Sequence, residues 1–304
     1  MTKLSKLLLS FCVLLILGCA DHAENGRKAF IKKDYQTAIQ EFKIAAEKKD
    51  PYSQAMLGSF YLEGLVVEKN FDQALKWYKK SAEQGYALAQ QNLGSIYEQG
   101  LGVSVNNDEA FKYFKMAADQ NLAVAQHALG NMYENGKGVN QNLAEAVRLY
   151  KLAVAQGNAS GMHNLAVLYD IGKGVNKDPV EAVRLYKLAS SKDLPAAQLN
   201  LANHYLEGDG VEKDDSEALK LMLILSRKNL PDAQYNLSLF YFDNDNNLQD
   251  QVKAYMWLYL SAKQNFPEAV NLLNKVNKQL QKKQIQSAIK LADECLFLGL
   301  SSCG

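Results

Sequence analysis

The stretch GKGVNQNLAEAVRLYKLA at 136–153 is written again as GKGVNKDPVEAVRLYKLA at 172–189, with 14 of 18 positions identical and an offset of 36 residues. A period of that length restricts the chain to stacked copies of one supersecondary unit, because each copy needs the next to cover its apolar face. Stepping by 36 from Leu57 meets Leu93, Leu129, Leu165, Leu201 and Leu237. The same step from Tyr61 meets Tyr97, Tyr133, Tyr169, Tyr205 and Tyr241, and from Ala74 it meets Ala110, Ala146, Ala182, Ala218 and Ala254. Six copies therefore run in register over 53–268, without insertion or deletion.

Each copy reads as two helices. In the first, Ala89, Leu93, Gly94 and Tyr97 fall on one broad apolar face at helical spacing. The residue after the Leu is always small: Gly58, Gly94, Gly130, Ala166, Ala202 and Ser238. Gly inside a helix costs up to ~1 kcal/mol, so this column implies close approach of a neighbouring helix backbone. The second helix buries Ala74, Leu75, Trp77, Tyr78 and their counterparts.

Its start carries a repeated signal. Asn70, Asn106, Asn142, Asp178, Asp214 and Asp250 share one column and suit the N-cap. Three residues on, Gln73, Glu109, Glu145, Glu181 and Glu217 predict capping boxes. Gly85, Asn121, Gly157, Asn229 and Asn265 mark left-handed helix ends, with Asp193 in that place in the fourth copy. All five prolines, Pro51, Pro179, Pro195, Pro231 and Pro267, fall at predicted helix starts, where a missing N–H does no harm.

The pattern A-x3-LG-x2-Y-x2-G-x-GV-x3-N/D, followed by A-x3-Y-x2-A-x2-G, as in 89–121 and 125–157, resembles the Sel-like repeat, a longer-looped relative of the tetratricopeptide repeat. The resemblance implies an all-α fold, a right-handed α-solenoid of antiparallel helix pairs. The first copy departs from it at Gly64-Leu65-Val66-Val67, which lacks the second Gly, and the sixth replaces the loop with Asp243-Asn244-Asp245-Asn246-Asn247. The expected organisation is a signal peptide at 1–18, an N-terminal anchor and degenerate half-repeat at 19–52, six repeats at 53–268, and C-terminal capping helices with a Cys pair at 269–304.

Little in the sequence suggests catalysis. His127 and His163 share a column with Ala55, Gln91, Leu199 and Tyr235, and no Cys or carboxylate pair accompanies them at ligand spacing, so no metal site is expected. His204 replaces Phe60, Ile96, Met132, Leu168 and Phe240, and reads as a semi-buried helix residue. Asp243-x-Asp245-x-Asn247 imitates half a calcium loop but has Leu248 where Gly belongs and Ala254 where Glu belongs. The Gly-x-Gly-Val turns lack the strand and third Gly of a dinucleotide site. No cofactor and no catalytic residue are expected. Some cysteine-rich relatives bind penicillin-like compounds. Their repeats each carry a disulfide, whereas the repeats of this chain contain no Cys, so such an activity or a hydrolase is the weaker alternative.

The N-terminus points to export. Lys3 and Lys6 precede the apolar run at 7–17, too short for an ordinary membrane span and suited to a signal-peptide core. The run ends in Leu17-Gly18-Cys19, which resembles a bacterial lipobox and makes Cys19 the lipidated residue; a plain signal peptide with Cys19 as a bystander is the competing reading. Ala20 after the Cys suggests an outer-membrane anchor facing the periplasm, in the cell envelope. Cys295 and Cys303 remain as a pair that an oxidising compartment would join, or as two free thiols. With 34 Lys and Arg against 33 Asp and Glu, and no basic block, nucleic acid is excluded as a partner.

By analogy with tetratricopeptide arrays, three first-helix columns line a partner groove. They read Gln91, His127, His163 and Tyr235; Ser95, Asn131 and Asn203; and Glu98, Glu134 and Asp170. The resemblance thus implies a non-catalytic scaffold of the bacterial envelope, held to the membrane by its N-terminal lipid, with envelope or secretion proteins as partners. A secreted or surface factor acting on host proteins is the alternative.

Overall fold

The computed structural model describes residues 21–244 and 248–303, and every regular element among them is helical. Cys19, the apolar run at 7–17 and the loop residues 245–247 lie outside the described residues. The chain divides into two compact bodies, 1–158 and 159–304.

The first body contains α1 (21–31), α2 (Tyr35–Glu47), α3 (Pro51–Glu63), α4 (Phe71–Glu83), α5 (Ala87–Gln99), α6 (Asn107–Ala118), α7 (Ala123–Asn135) and α8 (Leu143–Ala155). From α2 on, consecutive helices pack on one another. Leu57, Leu93 and Leu129 are buried from the first helix of each pair, and Phe42, Tyr78, Phe114 and Tyr150 from the second. The half-repeat expected before residue 53 is a whole helix pair. Residues 21–31 lack the Leu-Gly-x-x-Tyr pattern, but Ala29 and Phe30 pack with Phe42 and Phe60 in one cluster.

The second body contains α9 (Ala159–Ile171), α10 (Pro179–Ser190), α11 (Pro195–Glu207), α12 (Asp215–Arg227), α13 (Pro231–Asn244), α14 (Leu248–Lys263), α15 (Pro267–Val276), α16 (Lys282–Leu298) and a 3-10 turn, Leu300–Ser302. Leu165, Leu201 and Leu237 are buried here as their equivalents are in the first body. At the C-terminal end α16 packs on α14, and a disulfide joins Cys295 to Cys303 with their Cα atoms 5.4 Å apart. Both cysteines are buried, and the Arg227 Nε–H of α12 donates to the Cys303 carbonyl at 2.7 Å.

Why the second helices start where they do follows from one column. The side chains of Asn70, Asn106, Asn142, Asp178 and Asp214 each accept the backbone N–H three residues on at 3.0 Å. The expected return bond from the Glu is replaced. Each cap N–H instead donates to the carbonyl of the repeated Tyr (Tyr61, Tyr97, Tyr133, Tyr169 and Tyr205) at 2.8–2.9 Å, which closes the loop. With that donor already engaged, Glu109, Glu145, Glu181 and Glu217 pair with Lys112, Arg148, Arg184 and Lys220 one turn on. Asp250 is a second correction: α14 starts at Leu248, so Asp250 lies inside the first turn of the helix and not at the position before it.

The small column has a different cause from the one expected. A Cβ added to Gly58, Gly94 or Gly130 would fall 2.5–2.8 Å from the ring carbons of Tyr78, Phe114 or Tyr150. The close neighbour is thus an aromatic ring of the partner helix, and its backbone lies farther off. Where the first copy lacks the second loop Gly, Val66 still takes the left-handed conformation, with φ 54°. The loop geometry therefore outweighs a β-branched residue's resistance to it.

A further column carries buried amides. Gln54, Gln90, Gln126, Gln198 and Gln234 are buried on the first helices. Four of them accept from a Gln thirty residues later at the end of their own pair: Gln84, Gln120, Gln156 and Gln264, at 2.7–2.9 Å. Gln54, Gln90 and Gln234 also donate to the carbonyls of Ala46, Ala82 and Ser226 at the end of the preceding second helix. Burying an amide is tolerable only with such partners.

Candidate partner-binding face

In the first body, Gln91, Ser95 and Glu98 on α5 stand in the same positions as His127, Asn131 and Glu134 on α7, and all six are half-buried. They are tied together. Gln91 Nε2 donates to Ser95 Oγ at 3.3 Å, and Asn131 Nδ2 lies 3.3 Å from His127 Nε2. The Tyr150 hydroxyl, rising from the buried face of α8, lies 2.5 Å from Asn131 Oδ1 and 2.8 Å from Glu134 Oε2. Glu98 is met by Lys137 at 3.7 Å. The structure therefore gathers these residues into an ordered polar surface whose geometry is held from beneath.

The buried tyrosines explain that order. Phe42 and Phe114 fill the same packing position, so an apolar ring suffices for the core, and the added hydroxyls of Tyr78, Tyr150 and Tyr186 serve the first helices. Tyr78 Oη sits 2.8 Å from Ser59 Oγ and is also bonded by Asn92; burial pushes its phenol upward. Asn92 on α5 thus joins one helix pair to the next, as Asn200 on α11 does through Tyr186.

In the second body the expected residues do not form a comparable surface. His163 on α9 turns to Asn164 at 3.2 Å and to Asn200 on α11 at 3.3 Å. Asn203 is exposed, while the Tyr235 ring of α13 packs against Phe266, 5.6 Å between centroids. Asp170 turns toward His204, whose Nε2 is 3.4 Å from Asp170 Oδ2. His204 itself is 6% exposed, and its Nδ1 lies 2.8 Å from the Asp209 carbonyl in the loop after α11. Beneath them, burial pushes the Tyr186 phenol up to about 12, with the Asp170 charge adding and a hydrogen bond with Asn200 opposing.

Ligand-capable atoms of Asp170, His204 and Asp209 lie within 4.8 Å of one another. Sequence spacing concealed this group, since Asp170 comes from the repeat before the other two. The signal that could have found it is His204 itself, a polar residue in a column of apolar ones.

Stacked antiparallel helix pairs of one repeated length define a helical-repeat protein. The Sel1 repeat profile matches at 16–50, 51–86, 87–122, 123–158, 159–194, 195–230 and 231–266. The chain belongs to the Sel1 repeat family. It is similar to the crystal structure of a Sel1 repeat protein from Oxalobacter formigenes, with 35% identity, 79% of this chain and 96% of that one covered, and a TM-score of 0.72. A protective antigen of uropathogenic Escherichia coli strains with an SLR fold shares 25% identity over 85% of this chain and 71% of its own, at a TM-score of 0.37. An immunity protein of Pseudomonas aeruginosa shares 19% over 68% and 81%, at 0.46. Neither of the last two superpositions is close enough to transfer anything. No match to a curated protein sequence was found. Proteins of this family are generally non-enzymatic scaffolds for protein–protein interaction.

Proposed function

We propose that this chain is a non-catalytic scaffold of the bacterial cell envelope, anchored by lipid at Cys19, and that it holds a partner protein against the α5–α7 face of its first body. The observation that supports the face is the set Gln91, Ser95, Glu98, His127, Asn131 and Glu134, in which Gln91 is bonded to Ser95, Asn131 to His127, and the Tyr150 hydroxyl fixes Asn131 and Glu134. A surface whose polar groups are already oriented loses little side-chain freedom on binding, which favours specific capture. Gln91, Ser95 and Asn131 present amide and hydroxyl groups there, so the partner segment carries hydrogen-bonding, amide-rich side chains. Anchoring rests on the Leu17-Gly18-Cys19 pattern after a signal-like apolar run.

In-cell photocrosslinking tests the reading. A photoreactive residue in place of Ser95 should give one dominant adduct, absent when the probe replaces Lys76 on the exposed side of α4. Identical adducts from both positions would remove the face from consideration. In the same cells, Cys19→Ser should move the protein from the membrane to the soluble fraction; unchanged membrane attachment refutes the lipid anchor. Release of the unaltered protein into the medium would instead favour a secreted factor acting on host surfaces.

A further inference from the structure

The group around His204 does not belong to the proposed partner face, and its geometry is unusual for a helix packing position. The equivalent residues in the other repeats, Phe60, Ile96, Met132, Leu168 and Phe240, are apolar. An imidazole there must have both nitrogens satisfied, because an unpaired buried polar atom is costly.

Nδ1 faces a backbone carbonyl, that of Asp209, at 2.8 Å. A carbonyl oxygen only accepts, so Nδ1 carries the proton. That leaves Nε2 pointing at Asp170 Oδ2, 3.4 Å away. A charge-assisted hydrogen bond closes to roughly 2.7–2.9 Å, so the pair is longer than a tight contact and leaves room between the two atoms. Nε2 is therefore the nitrogen offered to Asp170, and a metal ion placed between the two atoms would satisfy both.

The separation fits one. With metal–nitrogen and metal–oxygen bonds of about 2.0–2.2 Å, two ligands on a tetrahedral ion stand roughly 3.3–3.5 Å apart. The third group, the Asp209 carboxylate, comes from the Gly208-Asp209-Gly210 turn, with its ligand atom within 4.8 Å of the other two. Among the described residues, neither Asp170 nor Asp209 has a lysine or arginine partner, so their charge is not cancelled by a neighbour. The Asp209 carbonyl also does what outer groups do in metal sites: it holds the second ring nitrogen and so fixes which nitrogen is offered.

We infer that Asp170, His204 and Asp209 form a binding site for a divalent first-row transition-metal ion such as Zn²⁺, with water in the remaining position. The set of one imidazole and two carboxylates suits such an ion. The ion would clamp the α11 loop to α9 and so stiffen the second body.

Calorimetric titration of the full chain with ZnCl2, and the visible absorption of Co²⁺ bound in its place, decide the matter. One equivalent of Zn²⁺ should bind, Co²⁺ should give an intense tetrahedral spectrum, and the unfolding temperature should rise with Zn²⁺ concentration. His204→Leu, which restores the residue type of Leu168, should abolish both signals. Asp209→Asn, in the loop and without a packing role, should weaken binding by about tenfold or more. His22→Gln, at the histidine of α1, should change nothing. Absence of saturable binding, or binding that survives both His204→Leu and Asp209→Asn, overturns the site. Should His204→Leu fail to fold, Asp209→Asn carries the decision alone.

Discussion

Replacing Gly94 with Ala isolates what shapes the small column. In an exposed helix this change stabilises by about 1 kcal/mol through propensity. Here the new methyl would lie 2.5 Å from two ring carbons of Phe114, which is 1% exposed and has no open side to yield into. Restoring an ordinary carbon contact of about 3.5 Å requires the ring or the helix to move by roughly 1 Å. Overpacking of that kind costs about 1–3 kcal/mol. Ala166 and Tyr186 occupy the same two columns in the second body, so a pair of helices can be spaced to accept the methyl, and relief by a small backbone shift caps the penalty. Net destabilisation of about 1 kcal/mol follows, read as a lower urea midpoint of the full chain at unchanged slope. Phe114→Leu, the residue that Leu258 supplies in the sixth repeat, removes the obstacle. In that background Gly94→Ala should become stabilising, leaving a coupling of about 2 kcal/mol between the sites. A Gly94→Ala effect of the same sign and size in both backgrounds would falsify the ring as the cause and return the close approach to the backbone.

Three further outcomes are expected. Gln90→Met removes one of the two acceptors of the exposed Gln120 amide and one of the donors to the Ala82 carbonyl, which keeps the Gly85 N–H, and should cost about 1 kcal/mol, whereas Gln90→Met with Gln120→Lys, copying Met162 and Lys192, should recover part of it; equal losses in denaturant unfolding would show the pair to be idle. Tyr186 holds its proton to about 12 in the folded state against about 10 unfolded, so the folded form binds more protons between those values and stability falls as pH rises through them. The loss approaches roughly 2–3 kcal/mol, and Tyr186→Phe should flatten the profile; an unchanged alkaline slope removes Tyr186 as its source. Opening the Cys295–Cys303 loop by replacing both cysteines with Ala should cost about 2–3 kcal/mol by loop entropy, and thermal unfolding of the two proteins tests it.

How much was readable in advance depended on whether a residue acts inside its own column. Caps at Asn70 or Asp214, left-handed ends at Asn121 or Asn265, and prolines at helix starts act locally, and spacing alone reveals them. Asn121 and Asn265 do take φ 63° and 61°. Side-chain pairs between columns were not readable. Gln90 on a helix reads as a solvated residue until Gln120 is brought beside it. Glu145 fits a capping box and an Arg pair equally well on paper, and only the loop bond from Asn142 to the Tyr133 carbonyl decides between them. The polar face divided likewise. Its α5 and α7 members were found by column, but the Tyr150 hydroxyl that orders Asn131 and Glu134 comes from the helix behind. By column, Asp170 reads as a groove acid and His204 as packing; the two meet because α9 and α11 come from successive repeats, which a one-repeat pattern cannot express. The helix at 21–31 escaped because its packing uses Ala29 and Phe30 in place of the usual letters.

The paired glutamines also bear on how such a chain can lengthen. Gln54 with Gln84, or Gln234 with Gln264, closes within a single helix pair, as does the bond from each capping residue to its Tyr carbonyl. These donors travel with their own acceptors, and the bonds that reach back to the preceding pair, such as Gln90 to the Ala82 carbonyl, meet an equivalent carbonyl again after a shift of one period. A duplication or deletion of one whole period therefore leaves these groups matched, whereas a change of any other length strands several at once. The near-identity of 136–153 and 172–189 is what a recent copying event filtered by that rule would leave behind, and the uninterrupted register of the later copies is its longer record.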